Sequence, residues 1–588
     1  MPIARTFSAI ARRSTLAAMR RCWGLCIVLL LFSLAVAFIN PVRQMMFGDD
    51  WAYGLTTRHL LATGEYRLHD WATANMPVQI YWAALLAQVF GYSFVVLRFS
   101  TLLLFLVGLI VLYWMLRDSG VKDNDASLLT LGLLSSPLVL LLSFTFQSDV
   151  QFLSWQILAL WLYSRALQQQ DYRLMALGSI AAFAAVGTRQ FGVALVAGLF
   201  ATWLLLERGQ RLRKAPLYMI GLGLPLLMTV WQLSDGLARP RFFQRVRLAE
   251  QLNYWRDLLG FAAELLWRPA AILQYLGLYL LPLTAVLLAA LLNGWWTSNG
   301  QNGQGIKGSY RLGTSARWLL AAFTAYITVG FCYGYFVVLP GILMPSLPWL
   351  LSSRQLLPLS FKWHLAVTVV TGGFAVGFGC LLSQRYLEGR AGRVLLGAEC
   401  FLLLSGLALL GLQLLYVQFY DVYLIQFLPF AVVVLGKTLP SWPRWCKALT
   451  AVLCVAMLLV SSLWTRGILA YTEASWRAAD LARSAGAAPQ DVAGNMTWSC
   501  YYGAFDEWIA DIGGTDVATR YSGSNRMHFA FFDFLHKRER RAQYALRPLG
   551  RPIPDNSWQF VGTVEYRDAW LRRRNIYVLV RQTRKESQ

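Results

Sequence analysis

The sequence predicts a mainly α, polytopic membrane protein. It is expected to have about 13 transmembrane helices, interfacial helices in its first outer loop, and a small α/β C-terminal extracytoplasmic domain. Three observations carry this expectation. Of 588 residues 57% are hydrophobic, and the mean hydropathy of +0.46 lies well above that of a soluble globular chain. The apolar residues gather into stretches long enough to cross a bilayer. Lysine and arginine fall on alternate sides of those stretches, as membrane orientation requires.

The stretches lie near 23–39, 95–116, 127–146, 150–167, 173–187, 190–206, 215–233, 270–292, 318–338, 364–382, 393–415, 422–436 and 445–464. Arg5, Arg12, Arg13, Arg20 and Arg21 precede the first and set residues 1–22 in the cytoplasm. Arg117 and Lys122, Arg165 and Arg173, the group Arg208 to Lys214, and later Lys307, Arg385 and Lys437 return to that side. The first stretch reads as a retained span, because no small-residue cleavage site precedes Asn40-Pro41. An odd number of crossings within 23–464 sends residues 465–588 outside. One outer stretch, 234–268, breaks the charge rule with Arg239, Arg241, Arg245, Arg247, Arg256 and Arg268. Such an exception marks either a function or a topology error.

Three outer segments are large enough to build something. The first, 40–94, predicts two interfacial helices, Trp51 to Leu61 and Val78 to Phe90, each mixing aromatic, apolar and polar residues. The second is the arginine-rich 234–268. The third, 339–363, carries Pro340, Pro345, Pro348 and Pro358 and predicts loop. Residues 293–317, rich in Gly, Asn, Gln and Ser, read as an inner linker. Past Trp464 the chain turns polar and charged. There Glu473 to Ala485 suits an amphipathic helix, and Trp558–Tyr566 and Asn575–Arg581 read as strands.

The net charge of +23 is spread over inner loops and the C-terminal tail. Orientation and anionic lipid account for it; nucleic acid would want a concentrated basic face. Of eight cysteines, seven lie in or beside spans and Cys500 stands alone outside, so no disulfide framework is expected. No Cys/His cluster has metal-ligand spacing. Acidic residues permit a divalent metal ion without requiring one.

The residues that point to chemistry are charged groups fixed at the outer lipid–water boundary. Asp49 and Asp50 follow the first span, Asp149 lies in the tight turn Phe146–Val150, and Asp421 precedes the twelfth span. Arg189 is the cation of another short outer turn. Carboxylates are costly to keep ionised at such a depth unless something uses or pairs them. A carboxylate can take a proton from a hydroxyl, and an arginine can hold a phosphate. Structural roles stay open for each: helix capping for the aspartates, snorkelling for Arg189, a lipid-facing surface for the 239–247 arginines, and interfacial anchoring for Asp421. His59 and His69 suit structural or solvent-facing places.

The order of these features resembles the GT-C glycosyltransferases, in the branch of protein O-mannosyltransferases and bacterial aminoarabinose (lipid A) transferases. Asp49-Asp50-Trp51-Ala52-Tyr53 matches the family's opening acidic motif. Met76-Pro77, Tyr81-Trp82, Phe90-Gly91 and Arg98 follow in family order. Asp149 stands for the second family acid and Arg189 for the basic turn after the fifth span. Asp421-Val422-Tyr423-Leu424 to Pro429 resembles the late signature. The likeness covers roughly the first 240 residues by motif and the remainder by architecture. Two departures stand out: Met76 occupies the place of a family lysine that meets the donor phosphate, and Val422 replaces a late arginine.

The resemblance implies an inverting transfer from a polyprenyl-phosphate sugar donor to a glycan, glycolipid or protein acceptor, in the bacterial cytoplasmic (inner) membrane. Asp49 is the expected base, with Asp50 and Asp149 orienting the acceptor or tuning the base. Arg189, with Arg239, Arg241, Arg245 and Arg247 making good the lost cations, would hold the phosphate. Tyr53, Tyr81, Trp82, Asp421 and Tyr423 are the expected acceptor or sugar contacts. The competing readings are a transporter or flippase, which would favour charges deep in spans and inverted repeats, and an O-antigen-ligase-like enzyme. The latter would need arginine and histidine in a long late loop, where 339–363 has Arg354 and Lys362 but no histidine.

Overall fold

In a computed structural model, residues 22–206, 208–239, 241–286, 372–373, 397–438, 442–511, 524–548 and 558–581 are described. The expected linker 293–317, the loop 339–363, most of the stretches 318–338 and 364–382 and the N-terminal basic segment lie outside them. The first described helix, α1 (Trp23–Ile39), is apolar throughout. The segment expected as the first outer loop then forms α2 (Asp50–Thr63) and α3 (Pro77–Phe90), within a residue or two of the helices expected there. Pro77 suits the first turn of α3, where its missing N–H has no helical partner to lose.

Next come α4 (Phe94–Asp118), α5 (Asp123–Ser135) and α6 (Pro137–Ser143). The stretch expected as one span over 127–146 is broken: α5 and α6 meet at a 71° bend. The cause is local. Pro137 offers no N–H to continue the α5 ladder, and Ser136 before it is driven to an extended ψ of 122°.

A helical hairpin follows, α7 (Ser148–Gln169) against α8 (Tyr172–Thr188). Gln170 turns the chain in the left-handed region, and the Asp171 carboxylate caps α8 by accepting from the backbone N–H of Arg173 and Leu174. Because the connection is so short, the first turn of α7 and the last of α8 lie at one end of the pair. That end is the site.

A 3-10 turn over 190–192 leads into α9 (Val193–Leu204), followed by α10 (Arg208–Ala238), α11 (Phe242–Arg256) and α12 (Leu258–Tyr279). The stretch 234–268, expected outside, is therefore largely helical, and α12 begins well before the expected span at 270. Then come α13 (Ala398–Leu415), the short α14 (Asp421–Leu424) and α15 (Leu428–Thr438). The stretch expected as one span over 422–436 is interrupted by a 3-10 turn at 425–427. Finally α16 (Arg444–Ser484) runs unbroken through the expected domain boundary at 464/465 and absorbs the helix expected from Glu473.

Among the described residues, four helices are long and apolar enough to cross a membrane: α4, α10, α13 and α16. The bent α5–α6 pair makes a fifth. Helices α1, α3, α8 and the 190–204 segment are apolar but shorter. The expected count of thirteen is thus met only in part. Helix α7 shows why composition and position diverge: it packs on α4, α8 and α13, so protein rather than lipid covers most of it.

Beyond α16, β1 (Val492–Ala493), α17 (Met496–Tyr501), α18 (Ala504–Asp511), α19 (Ser524–Arg541), β2 (Tyr544–Pro548), β3 (Trp558–Arg567) and β4 (Arg573–Arg581) build a small α/β unit. The sheet order is β1-β2-β4-β3, with β1–β2 parallel and the other pairs antiparallel. Helix α16 packs on β3 and β4, and α17 packs on α2. Arg43 pairs with Glu473, Thr497 Oγ1 donates to the Met46 carbonyl, and Trp476 Nε1 donates to Thr497 Oγ1.

Candidate active site

The acidic pair splits by one residue of helix geometry. Asp50, in the first turn of α2, is 1% exposed, and its Oδ2 accepts from the backbone N–H of Phe146 (2.9 Å) and Phe47 (3.3 Å). It ties the first outer loop to the turn before α7. Burial pushes its carboxyl up to about 7, against the pull of the Phe146 N–H and the Arg98 charge, with the Asp49 charge adding a little to the rise. Below it, Arg98 is fully buried and donates to the carbonyls of Pro41, Arg43, Met45 and Phe144. Asp50 and Arg98 fix backbone. The expected role of Asp50 in orienting an acceptor has no direct contact to rest on.

Asp49 stands at the N-cap of α2 but caps nothing with its side chain. Instead its Oδ1 accepts from the Trp71 indole Nε1 at 2.8 Å. The carboxyl is half-buried, and burial raises its pKa above the ordinary range. The Trp71 hydrogen bond and the charges of Arg189 and Arg247 oppose that rise. Burial, not the adjacent carboxylate, is what tunes it. Gly48 makes the approach feasible: its φ is +56°, and a Cβ there would lie 2.6 Å from Gln147 Nε2, which donates to the Phe47 carbonyl.

Arg189 and Asp149 form an ion pair where the α7–α8 hairpin ends meet, both largely buried. The placement follows from helix polarity: an acid in the first turn of α7 and a cation at the C-cap of α8. The Arg189 guanidinium also lies over the Tyr423 ring, 4.6 Å from its centroid. Tyr423 in turn contacts Phe191, Tyr416 and Tyr420. Tyr53, one turn after Asp49, is buried within the electrostatic reach of Asp49, Arg189 and Tyr423.

Arg247 completes this cluster from α11. It pairs with Glu250 at 2.7 Å, and the Gln418 side-chain oxygen accepts from its guanidinium. Its charge acts on Asp49 and on Tyr416, Tyr420 and Tyr423. Asp49, Tyr53, Asp149, Arg189, Arg247 and Tyr423 are therefore brought together, although they come from five separate parts of the chain.

The remaining expected residues lie elsewhere. Arg241 is engaged by Asn75 Oδ1 (2.5 Å) and Asp235 Oδ2 (3.1 Å), beside the buried Met76. Arg239 and Arg245 are exposed. Tyr81 is 51% exposed and stacks on Tyr66. Trp82 donates its Nε1 to the Ser100 carbonyl, a packing role. Asp421 is fully buried; its Oδ1 accepts from the Val422 N–H and its carbonyl accepts from the Tyr279 hydroxyl. Tyr81, Trp82 and Asp421 thus stand apart from the Asp49–Arg189 cluster, as do Arg239 and Arg245 on the surface. Among the described residues no three His, Cys, Asp or Glu side chains gather as a metal cage.

Trp71, Glu250, Gln418 and Tyr416 were not anticipated. For Glu250 a signal existed: Phe243, Val246, Arg247 and Glu250 share one helical face, so periodicity puts Arg247 and Glu250 inward and Arg245 outward. For Trp71, in an irregular run, there was none.

Residues 74–233 match the family model described as dolichyl-phosphate-mannose-protein mannosyltransferase. The matched segment holds Asp149 and Arg189 but neither Asp49 nor Arg247. A search of curated proteins finds no match. Among solved structures, the chain is similar to ArnT from Cupriavidus metallidurans bound to undecaprenyl phosphate. The two are 15% identical over 95% of this chain and 97% of that one, with a TM-score of 0.37. It is also similar to the archaeal oligosaccharyltransferase AglB from Archaeoglobus fulgidus in complex with an inhibitory peptide and dolichol-phosphate. There the identity is 14% over 71% of this chain and 56% of that one, with a TM-score of 0.28. Similarities this loose carry no argument about site or substrate. The family match makes residues 74–233, about a quarter of this membrane protein, similar to a family of glycosyltransferases.

Proposed function

We propose that the chain is an inverting glycosyltransferase that moves a sugar from a polyprenyl-phosphate donor to a hydroxyl of a glycolipid, polysaccharide or protein. It acts at the outer face of the bacterial inner membrane, with the N-terminus in the cytoplasm and the sheet-bearing unit outside. Asp49 takes the acceptor's hydroxyl proton. The acceptor oxygen attacks the anomeric carbon as the bond from that carbon to the phosphate oxygen breaks. The polyprenyl phosphate leaves with the bonding pair. A phosphate leaving group is already a good anion, so it needs positive charge more than a proton, and Arg189 and Arg247 supply it. Asp149 holds Arg189 in place, and Tyr53 and Tyr423 offer ring faces and hydroxyls to the sugar.

The observation that supports this most is the Asp49 carboxyl, whose proton affinity is raised by burial, within the field of two guanidiniums that bond to other partners. A base poised nearer neutrality beside fixed cations suits proton removal coupled to departure of an anion. The test is mass spectrometry of the cell envelope with the wild-type chain, without it, and with Asp49→Asn. We expect one glycosyl mass to disappear in both the deletion and the variant while the variant protein accumulates normally. Wild-type product with Asp49→Asn rejects the base. No missing mass in the deletion favours transport of a lipid-linked saccharide.

A further inference from the structure

The proposed base is not held by the helices that carry its cationic neighbours. Its one side-chain hydrogen bond among the described residues comes from Trp71, in the irregular segment between α2 and α3. Trp71 is itself fixed from two directions. Its backbone N–H donates to His69 Nδ1 at 3.1 Å. Its ring sits against Trp51 (5.5 Å) and Phe243 (4.8 Å), and against Phe505 (5.4 Å) and Phe531 (5.5 Å) of the C-terminal unit. Phe505 also touches Trp51, His69 and Phe243, so α18 closes one continuous aromatic layer over the segment that bears the indole donor.

We infer that Trp71 is a positioning residue for Asp49, and that the C-terminal unit sets the orientation of the base through the ring contacts of Phe505 and Phe531 with that indole. The inference rests on the reading of Asp49 as base. A donor to one carboxylate oxygen leaves the other to meet a hydroxyl, and it favours the ionised form over the protonated one. The charged and titratable groups facing Asp49 are Arg189 from the end of α8, Arg247 from α11, Asp50 and Tyr53 on α2 and Cys500 on α17; His69, which accepts from the Trp71 N–H, lies 3.8 Å from Asp506. None of them replaces a neutral, rigid donor at 2.8 Å. Removing only the N–H therefore loosens the base while leaving the surrounding charges alone.

The test uses the full-length chain in detergent, labelled with 5-fluorotryptophan, and Trp71→Phe to assign the Trp71 fluorine resonance. We expect that resonance to titrate with pH, to stop titrating in Asp49→Asn, and to shift its midpoint in Phe505→Leu, which keeps the indole. In cells, Trp71→Phe should lower the glycosyl product roughly tenfold or more, the weight of a hydrogen bond to a charged group. Phe505→Leu should lower it less, and should add nothing in the Trp71→Phe background. A Trp71 resonance that ignores pH, or wild-type product in Trp71→Phe, overturns the inference. So does a Phe505→Leu effect that persists unchanged in the Trp71→Phe background. If Trp71→Phe fails to accumulate, the glycosyl product of Phe505→Leu decides alone: unchanged from wild type, it overturns the link to the C-terminal unit. Wild-type product in Asp49→Asn sinks the base itself, an outcome separate from a failure of Trp71 alone.

Discussion

Two knots of arginine and carboxylate lie one residue apart at the start of α2, and they are built on opposite plans. In the Asp50–Arg98 knot nearly every bond goes to backbone: two amides to the carboxylate, four carbonyls to the guanidinium. In the cluster of Asp49, Asp149, Arg189 and Arg247 the partners are other side chains and ring faces. Backbone partners cannot leave without unfolding the turn that carries them, so the first knot holds shape. Side-chain partners can yield to an anion or a hydroxyl, so the second is the one suited to chemistry. The same residue types serve as mortar in one place and as reagents in the other.

The largest effect should come from breaking the structural knot. Arg98→Leu strands four buried carbonyls and removes the cation facing Asp50, a loss of roughly 4 kcal/mol or more. Size-exclusion chromatography of a fluorescent fusion should show no folded protein. Next, Arg247→Gln combined with Glu250→Gln, which avoids leaving a lone buried acid, should weaken binding of the proposed polyprenyl phosphate about tenfold with the fold intact. Unchanged binding by thermophoresis would move Arg247 to the structural side of the comparison.

Smaller still is Asp50→Asn, which keeps an acceptor for the two amides and removes a buried charge. With the folded pKa raised from 3.8 to about 7, the wild-type carboxyl contributes stability that is present below 3.8 and lost as pH rises through about 7. The variant's advantage in melting temperature should therefore grow across that window and level off above it. An advantage that is flat with pH would show that Asp50 titrates alike in the folded and unfolded states. Least of all, Arg239→Gln should leave binding of the proposed polyprenyl phosphate within about twofold, as expected for an exposed charge screened by solvent.

The sequence made the convergence of Asp49, Asp149 and Arg189 legible because short turns after apolar runs leave a charged side chain few places to go. It also resolved α2, α3 and the two longer strands, whose periodicity is local. What it hid depends on three-dimensional neighbours. Asp49 and Asp50 look equivalent in the chain, and only the position of the Phe146 amide separates them. The arginines at 239–247 read as one basic block until the face of α11 divides Arg247 from Arg245. The break at Ser136-Pro137 was written in the sequence but masked by hydropathy, which treats proline as one more apolar residue.

The continuity of α16 has a mechanical consequence. Forty-one residues of helix span ~60 Å, about twice the hydrocarbon thickness of a bilayer, so the helix is roughly twice as long as one crossing needs and its second half is a stiff mast. The β-sheet fastened to its upper part cannot swing on a flexible tether. Its height and azimuth above the membrane are set by residue count, like a flag nailed to a pole. Lengthening that pole by a single residue would turn everything fixed above the insertion by about 100°.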